Sequence, residues 1–444
     1  MSHFGFSRPP VGPSANARWV TGLLGVFLCL SACTSGDGAA ADEETGTGDE
    51  TGTGGKDTGT PSDTPTPPGD GTPPPTDSDP PPPPPPDSGP STSTTAELAK
   101  KLTGKTNFLI GMGNDLSADN DHTKDGAYTL GVKLDLHYVY LVGLLGKGGW
   151  PDWNAGGSFV NVVGDPAVKN GVAPMYTLYS MAAAGDGTTS TVTDDGYMKP
   201  YWDGAKLMFQ RIAVLKVPTV VQLEPDWWGY AERFTKGDVT KMPVHVTKLA
   251  PDCAGLPDNI SGMAKCLIKL ARTYAPNAIV GLHVSQWGGD DDASIVAFYK
   301  ALGADTADIV ALEFLDRDVG CFEAAVDPNC KRTGDVYWDE TNTTHPNFHD
   351  HLAFAKAIHD GLGRPLLWWQ TPFGVPSATK GGTAGHYRDN RVHYIFRHID
   401  EYIAAGGLGV VFGTGAGNQT YITSDGGQFK TAVTSYFAKP WPLP

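Results

Sequence analysis

From about residue 96 onward, short apolar and β-branched runs alternate with stretches of helical periodicity. Eight runs predict strands: 107–111, 134–141, 173–179, 218–223, 278–284, 308–314, 364–369 and 407–412. Between the later ones, helices are predicted over 205–216, 260–274, 293–302, 348–362, 390–405 and 428–437. In the second of these, Ile260, Met263, Ala264, Leu267, Ile268 and Ala271 fall on one stripe. Strands that alternate with helices read as parallel βα units, and eight of them predict a (β/α)8 TIM barrel. The gaps 113–133 and 143–172 show no amphipathic helix; Gly, Asp and Trp dominate them. An open doubly wound sheet is the alternative, but no Gly-x-Gly-x-x-Gly follows the first strand to support it.

In such a barrel, chemistry sits at the carboxyl ends of the strands. Here those ends are rich in acids and indoles. The fourth run leads into Glu224-Pro225-Asp226-Trp227-Trp228, the fifth into His283 and Trp287, and the sixth into Glu313 and Asp316-Arg317-Asp318. The seventh ends Trp368-Trp369-Gln370, and the second is followed by Trp150 and Trp153. A carboxylate that follows an apolar strand is costly to bury unless it is hydrogen-bonded or working. Glu224, Asp226, Glu313 and Asp316 are therefore the candidate catalytic residues. Trp150, Trp153, Trp227, Trp228, Trp287, Trp368, Trp369, His283 and Gln370 are candidate ligand contacts. Asp290-Asp291-Asp292 reads as a solvated turn and helix cap, and His349, His351 and His359 as surface residues of a helix.

The other end of the chain follows different physics. Residues 1–32 carry Arg8 and Arg18, a short apolar run and small residues before Cys33, the pattern of a secretory signal. Leu30-Ser31-Ala32-Cys33 resembles the lipobox of bacterial lipoproteins, which implies cleavage and lipidation at Cys33 and attachment to a membrane of the cell envelope. Residues 33–95 are Thr, Gly, Ser, Asp and Pro, with a proline tract from Pro80 to Pro86. That segment cannot bury a core and is expected to be a disordered tether, leaving 96–444 as one catalytic-size domain. The formal net charge of −16 belongs mostly to the tether. No Lys/Arg run offers a basic patch, so a nucleic-acid partner is excluded. Cys253 with Cys266 and Cys321 with Cys330 are expected to form two local disulfides in an exported domain. Neither pair has zinc-ligand spacing, which disfavours a metal site there; no metal and no cofactor are expected.

The Glu-Pro-Asp at 224–226, after Val220-Val221-Gln222-Leu223, is similar to strand-end motifs of cellulase-type (β/α)8 glycoside hydrolases. The resemblance implies hydrolysis of a polysaccharide; a β-glucan is favoured, endo action is expected, and the protein is expected to be a monomer. Two carboxyls would do the work, one as acid and one as base or nucleophile. Glu224 is the expected acid, because Trp227 and Trp228 would desolvate it and raise its pKa. The large retaining clan has Asn before the strand-four Glu and a Glu on strand seven; here Leu223 and Gln370 stand in those places. Two other functions fit the same residues: a sugar-binding lipoprotein without turnover, and a metal-dependent hydrolase using Asp115, Asp119, His122 or His137.

Overall fold

A computed structural model describes residues 94–113, 121–314, 318–325, 330, 337–376, 385–415 and 419–444. All of these fall in one compact unit, Thr76–Pro444. The signal, Cys33, Asp115, Asp119 and Asp316 lie outside the described residues.

Eight strands close into a parallel barrel in sequence order. They are β1 Leu109–Gly113, β2 Leu136–Val142, β3 Ala173–Tyr179, β4 Thr219–Leu223, β5 Ala278–Val284, β6 Ile309–Glu313, β7 Leu366–Thr371 and β8 Gly407–Gly413. The predicted runs thus become the strands, and β1 pairs with β8 to close the ring. Nearly every strand residue is buried, as expected of a parallel sheet covered by helices outside and filled by side chains inside. Among the described residues, no helix is long and apolar enough to cross a membrane.

The helices Ile260–Tyr274 and Phe348–Leu362 have the predicted bounds, and Asp195–Leu215 begins ten residues earlier than predicted. The predicted 390–405 segment is two helices, Arg391–Arg397 and Ile399–Ala404, broken at His398. The gap after β2 corrects the sequence reading, for it contains the helix Phe159–Asn170. Gly164 and Pro166 hide its periodicity. Gly164 is required by packing: a Cβ there would lie 2.5 Å from the Tyr176 hydroxyl, which donates to the Val160 carbonyl. After β1, the described residues hold a 3-10 turn, His122–Lys124, and the single helical turn Gly126–Thr129.

Both disulfides form, Cys253–Cys266 and Cys321–Cys330. Asp291 caps the helix Asp292–Leu302 in a capping box with Ser294, as its place in the acidic triplet predicts.

Candidate active site

The turn after β4 is the most unusual piece of backbone in the barrel. Glu224 has φ +48° and Asp226 has φ +64°, both in the region that favours glycine. At Asp226 the ψ is −36°, and the Trp227 N–H donates to the Pro225 carbonyl at 2.7 Å. Asp226 is therefore the apex of a γ-turn with positive φ, a rare and strained form. Although it occupies the N-cap of the helix Trp227–Thr235, its side chain makes no capping bond. Its Oδ2 lies 3.2 Å from the Tyr179 hydroxyl at the end of β3, whose one proton is shared with Asp186 Oδ1 at 2.8 Å. Gln370, at the end of β7, is likewise at φ +53°. Strain of this kind is held only where surrounding packing dictates it, and it gathers at functional sites.

The turn brings Asp226 to His283 and Glu313. One side-chain donor atom from each of the three lies within 4.8 Å of the others. His283 is fully buried on β5, and its Nε2 stands 3.8 Å from Oε2 of Glu313, whose side chain is 15% exposed. Both His283 Nε2 and Glu313 Oε1 are buried and lack a hydrogen-bond partner among the described residues. The other imidazole nitrogen is well held: Gln222 Nε2 lies 2.8 Å from His283 Nδ1, and the Thr177 hydroxyl donates to Gln222 Oε1 at 3.2 Å. In that arrangement Gln222 donates to Nδ1, so the neutral ring carries its proton on Nε2, directed toward the carboxylates. Two carboxylates this close repel by about 3 kcal/mol at an effective dielectric near 20, so the site favours a positive occupant or a shared proton.

Aromatic rings wall this end of the barrel. Trp369 meets His283 edge-on with centroids 5.5 Å apart and packs against Tyr138 and Tyr140; Tyr140 in turn meets Tyr179. Gln370 donates to the Tyr140 hydroxyl. Gly413 makes room for Tyr138, since a Cβ there would lie 2.0 Å from its hydroxyl.

Glu224 is placed differently from the sequence expectation. It is fully buried, and its two oxygens accept from the backbone N–H groups of Ser180 (3.3 Å) and Met181 (3.0 Å). Burial pushes its carboxyl up to about 8, against the opposing pull of the Met181 N–H, the Tyr201 hydroxyl and the Ser180 N–H. The raised pKa agrees with the expectation, but the group pins the loop after β3 and is not part of the Asp226, His283, Glu313 cluster.

The indoles divide. Trp228 and Trp368 are fully buried, the first donating to the Leu223 carbonyl and the second to His351 Nε2. Trp150 is also fully buried, and these three pack the body of the domain. Trp227 is 3% exposed. Trp287 is half-buried against Tyr230 and Arg233, and Trp153 packs edge-on to Phe159 beside α-helical residues away from the cluster. Trp369 alone of the seven contacts His283. His351, expected at the surface, is buried and stacked on Phe314, and burial pushes its pKa down to about 3. It lies on the inward stripe of its helix with Phe348, Leu352 and Ala355. His122 and His137 meet around Asp125, apart from the strand-end cluster.

Sequence reasoning missed Tyr179, Gln222, Thr177, Tyr138 and Tyr140. Gln222 was marked by its parity, two residues before Glu224 on the face of β4 that turns inward. A cavity of about 350 Å³ lies at the opposite, amino-terminal end of the barrel, lined among others by Lys105, Lys133 and Asp135. It holds none of these residues.

No protein-family model matches the chain, and no curated protein matches it. Solved structures do. An endo-1,4-β-D-mannanase from Thermotoga petrophila RKU-1 is 11% identical, covering 75% of this chain and 99% of its own, with a TM-score of 0.43. A family 39 glycoside hydrolase from Bacteroides cellulosilyticus WH2 is 12% identical over 77% of this chain and 65% of its own, at 0.44. A D-psicose 3-epimerase from Clostridium cellulolyticum H10 is 11% identical over 74% and 97%, at 0.39. What the chain's own strand pairing establishes is the barrel: eight parallel strands closed in order, with Asp226, His283 and Glu313 at their carboxyl ends.

Proposed function

We propose that the chain is an exported glycoside hydrolase acting on a polysaccharide, with Asp226 and Glu313 as its working carboxyls. The observation that carries this reading is the approach of those two groups to within 4.8 Å across buried His283 at the barrel mouth. Catalytic carboxyls about 5–5.5 Å apart suit retention, whereas inversion needs roughly 6.5–9.5 Å to admit a water. Asp226, beside the Tyr179 hydroxyl, attacks the anomeric carbon while Glu313 gives its proton to the departing glycosidic oxygen. Water, deprotonated by Glu313, then displaces Asp226 and releases the sugar. The Asp226 carboxylate also stabilises the positive charge that develops on the ring. Half-buried Tyr140 and Tyr179, backed by buried Trp369, offer ring surface to the apolar C–H faces of a sugar, and Glu224 holds the neighbouring loop.

Export and lipid attachment at Cys33 belong to the same proposal. The two disulfides support an oxidising compartment, and mass spectrometry of the mature N-terminus tests the anchor. Hydrolysis is tested by a reducing-sugar assay across a panel of β-glucans, mannans and xylans, with products sized. Sugar binding without turnover on every member of the panel would leave the chain a binding protein and overturn the reading.

A further inference from the structure

We propose that Asp226, His283 and Glu313 also bind one first-row divalent cation of the Zn2+ or Mn2+ class, and that the bound cation blocks hydrolysis. The inference rests on the placement of the active site described above but not on its activity.

Three observations carry it. The donor atoms of the three side chains converge within 4.8 Å. Ligands of a common ion at about 2.0–2.2 Å are separated by roughly 3 to 4.4 Å, so small side-chain movements close the set around a metal. His283 Nε2, fully buried, points at the carboxylates from 3.8 Å without a hydrogen-bond partner among the described residues, and Glu313 Oε1 is orphaned beside it. An imidazole proton facing a carboxylate would ordinarily close to about 2.7–2.9 Å. Finally, the outer partners are those a metal site uses. Gln222 holds the remote ring nitrogen at 2.8 Å, Thr177 holds Gln222, and Tyr179 holds Asp226. Turning the Gln222 amide over presents its oxygen to Nδ1–H and its NH2 to the Thr177 oxygen, which frees a lone pair on Nε2 for a cation.

The donor set, one imidazole nitrogen and two carboxylate oxygens, selects the class. Ca2+ and Mg2+ favour all-oxygen cages, while Zn2+ and Mn2+ accept mixed nitrogen and oxygen ligands. A divalent ion also neutralises the two carboxylates. Once bound, it removes both groups from acid, base or nucleophilic work, so metal and sugar compete.

The test is isothermal titration of chelator-treated full-length protein with Zn2+ and with Mn2+, beside His283→Gln and Glu313→Gln variants whose melting is checked first. Surface histidines also bind zinc weakly: His349 and His398 both meet Glu401. The readout is therefore the tight equivalent that a single substitution removes. The expected result is one tight equivalent in the parent, weakened at least about tenfold in both variants, with Ca2+ binding far more weakly. A tight equivalent unchanged in folded His283→Gln and Glu313→Gln, or no tight equivalent at all, overturns the site. Zinc that lowers the hydrolytic rate, with recovery on EDTA, supports the competition. Zinc required for turnover keeps the site but overturns the blocking role and the carboxylate-only chemistry. Absence of turnover with zinc still bound overturns the hydrolase reading alone.

Discussion

Replacing Asp226 separates what its backbone costs from what its carboxyl does. With φ +64° and ψ −36°, the residue holds a conformation that glycine adopts freely and a residue with a Cβ does not. The strain in such a residue is about 1–3 kcal/mol. Asp226→Ala and Asp226→Gly both remove the carboxylate, the hydrogen bond from Tyr179 and the repulsion with Glu313, so these contributions cancel between the two variants. What remains is the Cβ. Glycine relieves the strain but gives the unfolded chain more freedom, worth roughly 0.4–1 kcal/mol in the other direction. Asp226→Gly should therefore be more stable than Asp226→Ala by about 1 kcal/mol, and neither should hydrolyse substrate. Urea unfolding followed by tryptophan fluorescence, with a common m-value, measures the difference. An alanine variant as stable as the glycine variant, or more so, would refute the claim that this turn stores strain for function.

The buried carboxyls predict a pH dependence of stability. Glu224 is pushed up to about 8 and Glu232 to about 7, each chiefly by burial. The folded state then keeps protons that the unfolded chain releases near 4.5, so their stabilising contribution is full below that pH and is lost as pH rises through 7 to 8. Between pH 6.5 and 8, buried His351, held neutral in the fold, opposes this little, so the melting temperature should fall with rising pH. Glu224→Gln should flatten the slope. Tyr179→Phe removes the donor to Asp226; hydrogen bonds to charged groups are worth about 1.5–3 kcal/mol, so the rate should drop roughly ten- to a hundredfold. Cys253→Ser with Cys266→Ser opens a loop of sequence separation 13 between two fully buried sulfurs and should cost about 2–4 kcal/mol in equilibrium unfolding.

The barrel was legible because each strand is an apolar run closed by a change of composition, and β3 and β5 match their predicted bounds residue for residue. The helix Phe159–Asn170 was not, because Gly164 answers to the distant Tyr176 hydroxyl rather than to helix propensity. The paired indoles could have been sorted by strand alternation, since Trp368 faces His351 and the helix layer while Trp369 faces His283 and the barrel interior. His351 was readable from its three-residue spacing to Phe348 on the buried stripe. That Asp226 rather than Glu224 stands with His283 and Glu313 was beyond sequence. Nothing in Glu-Pro-Asp says that two residues bearing a Cβ will take positive φ and swing the second carboxyl, not the first, over His283. That geometry is imposed by packing from β3 and β5.

The most direct test of the central claim is the initial hydrolytic rate of Asp226→Asn, Glu313→Gln and Glu224→Gln on whichever polysaccharide the parent protein degrades. The account predicts losses of about 10²–10⁴ or more for the first two, the scale of a missing acid, base or nucleophile. Glu224→Gln, assayed below its melting temperature, should stay within about tenfold of the parent, because its side chain holds a loop rather than the sugar. Parent-like rates in Asp226→Asn or Glu313→Gln, or a collapse confined to Glu224→Gln, would contradict it.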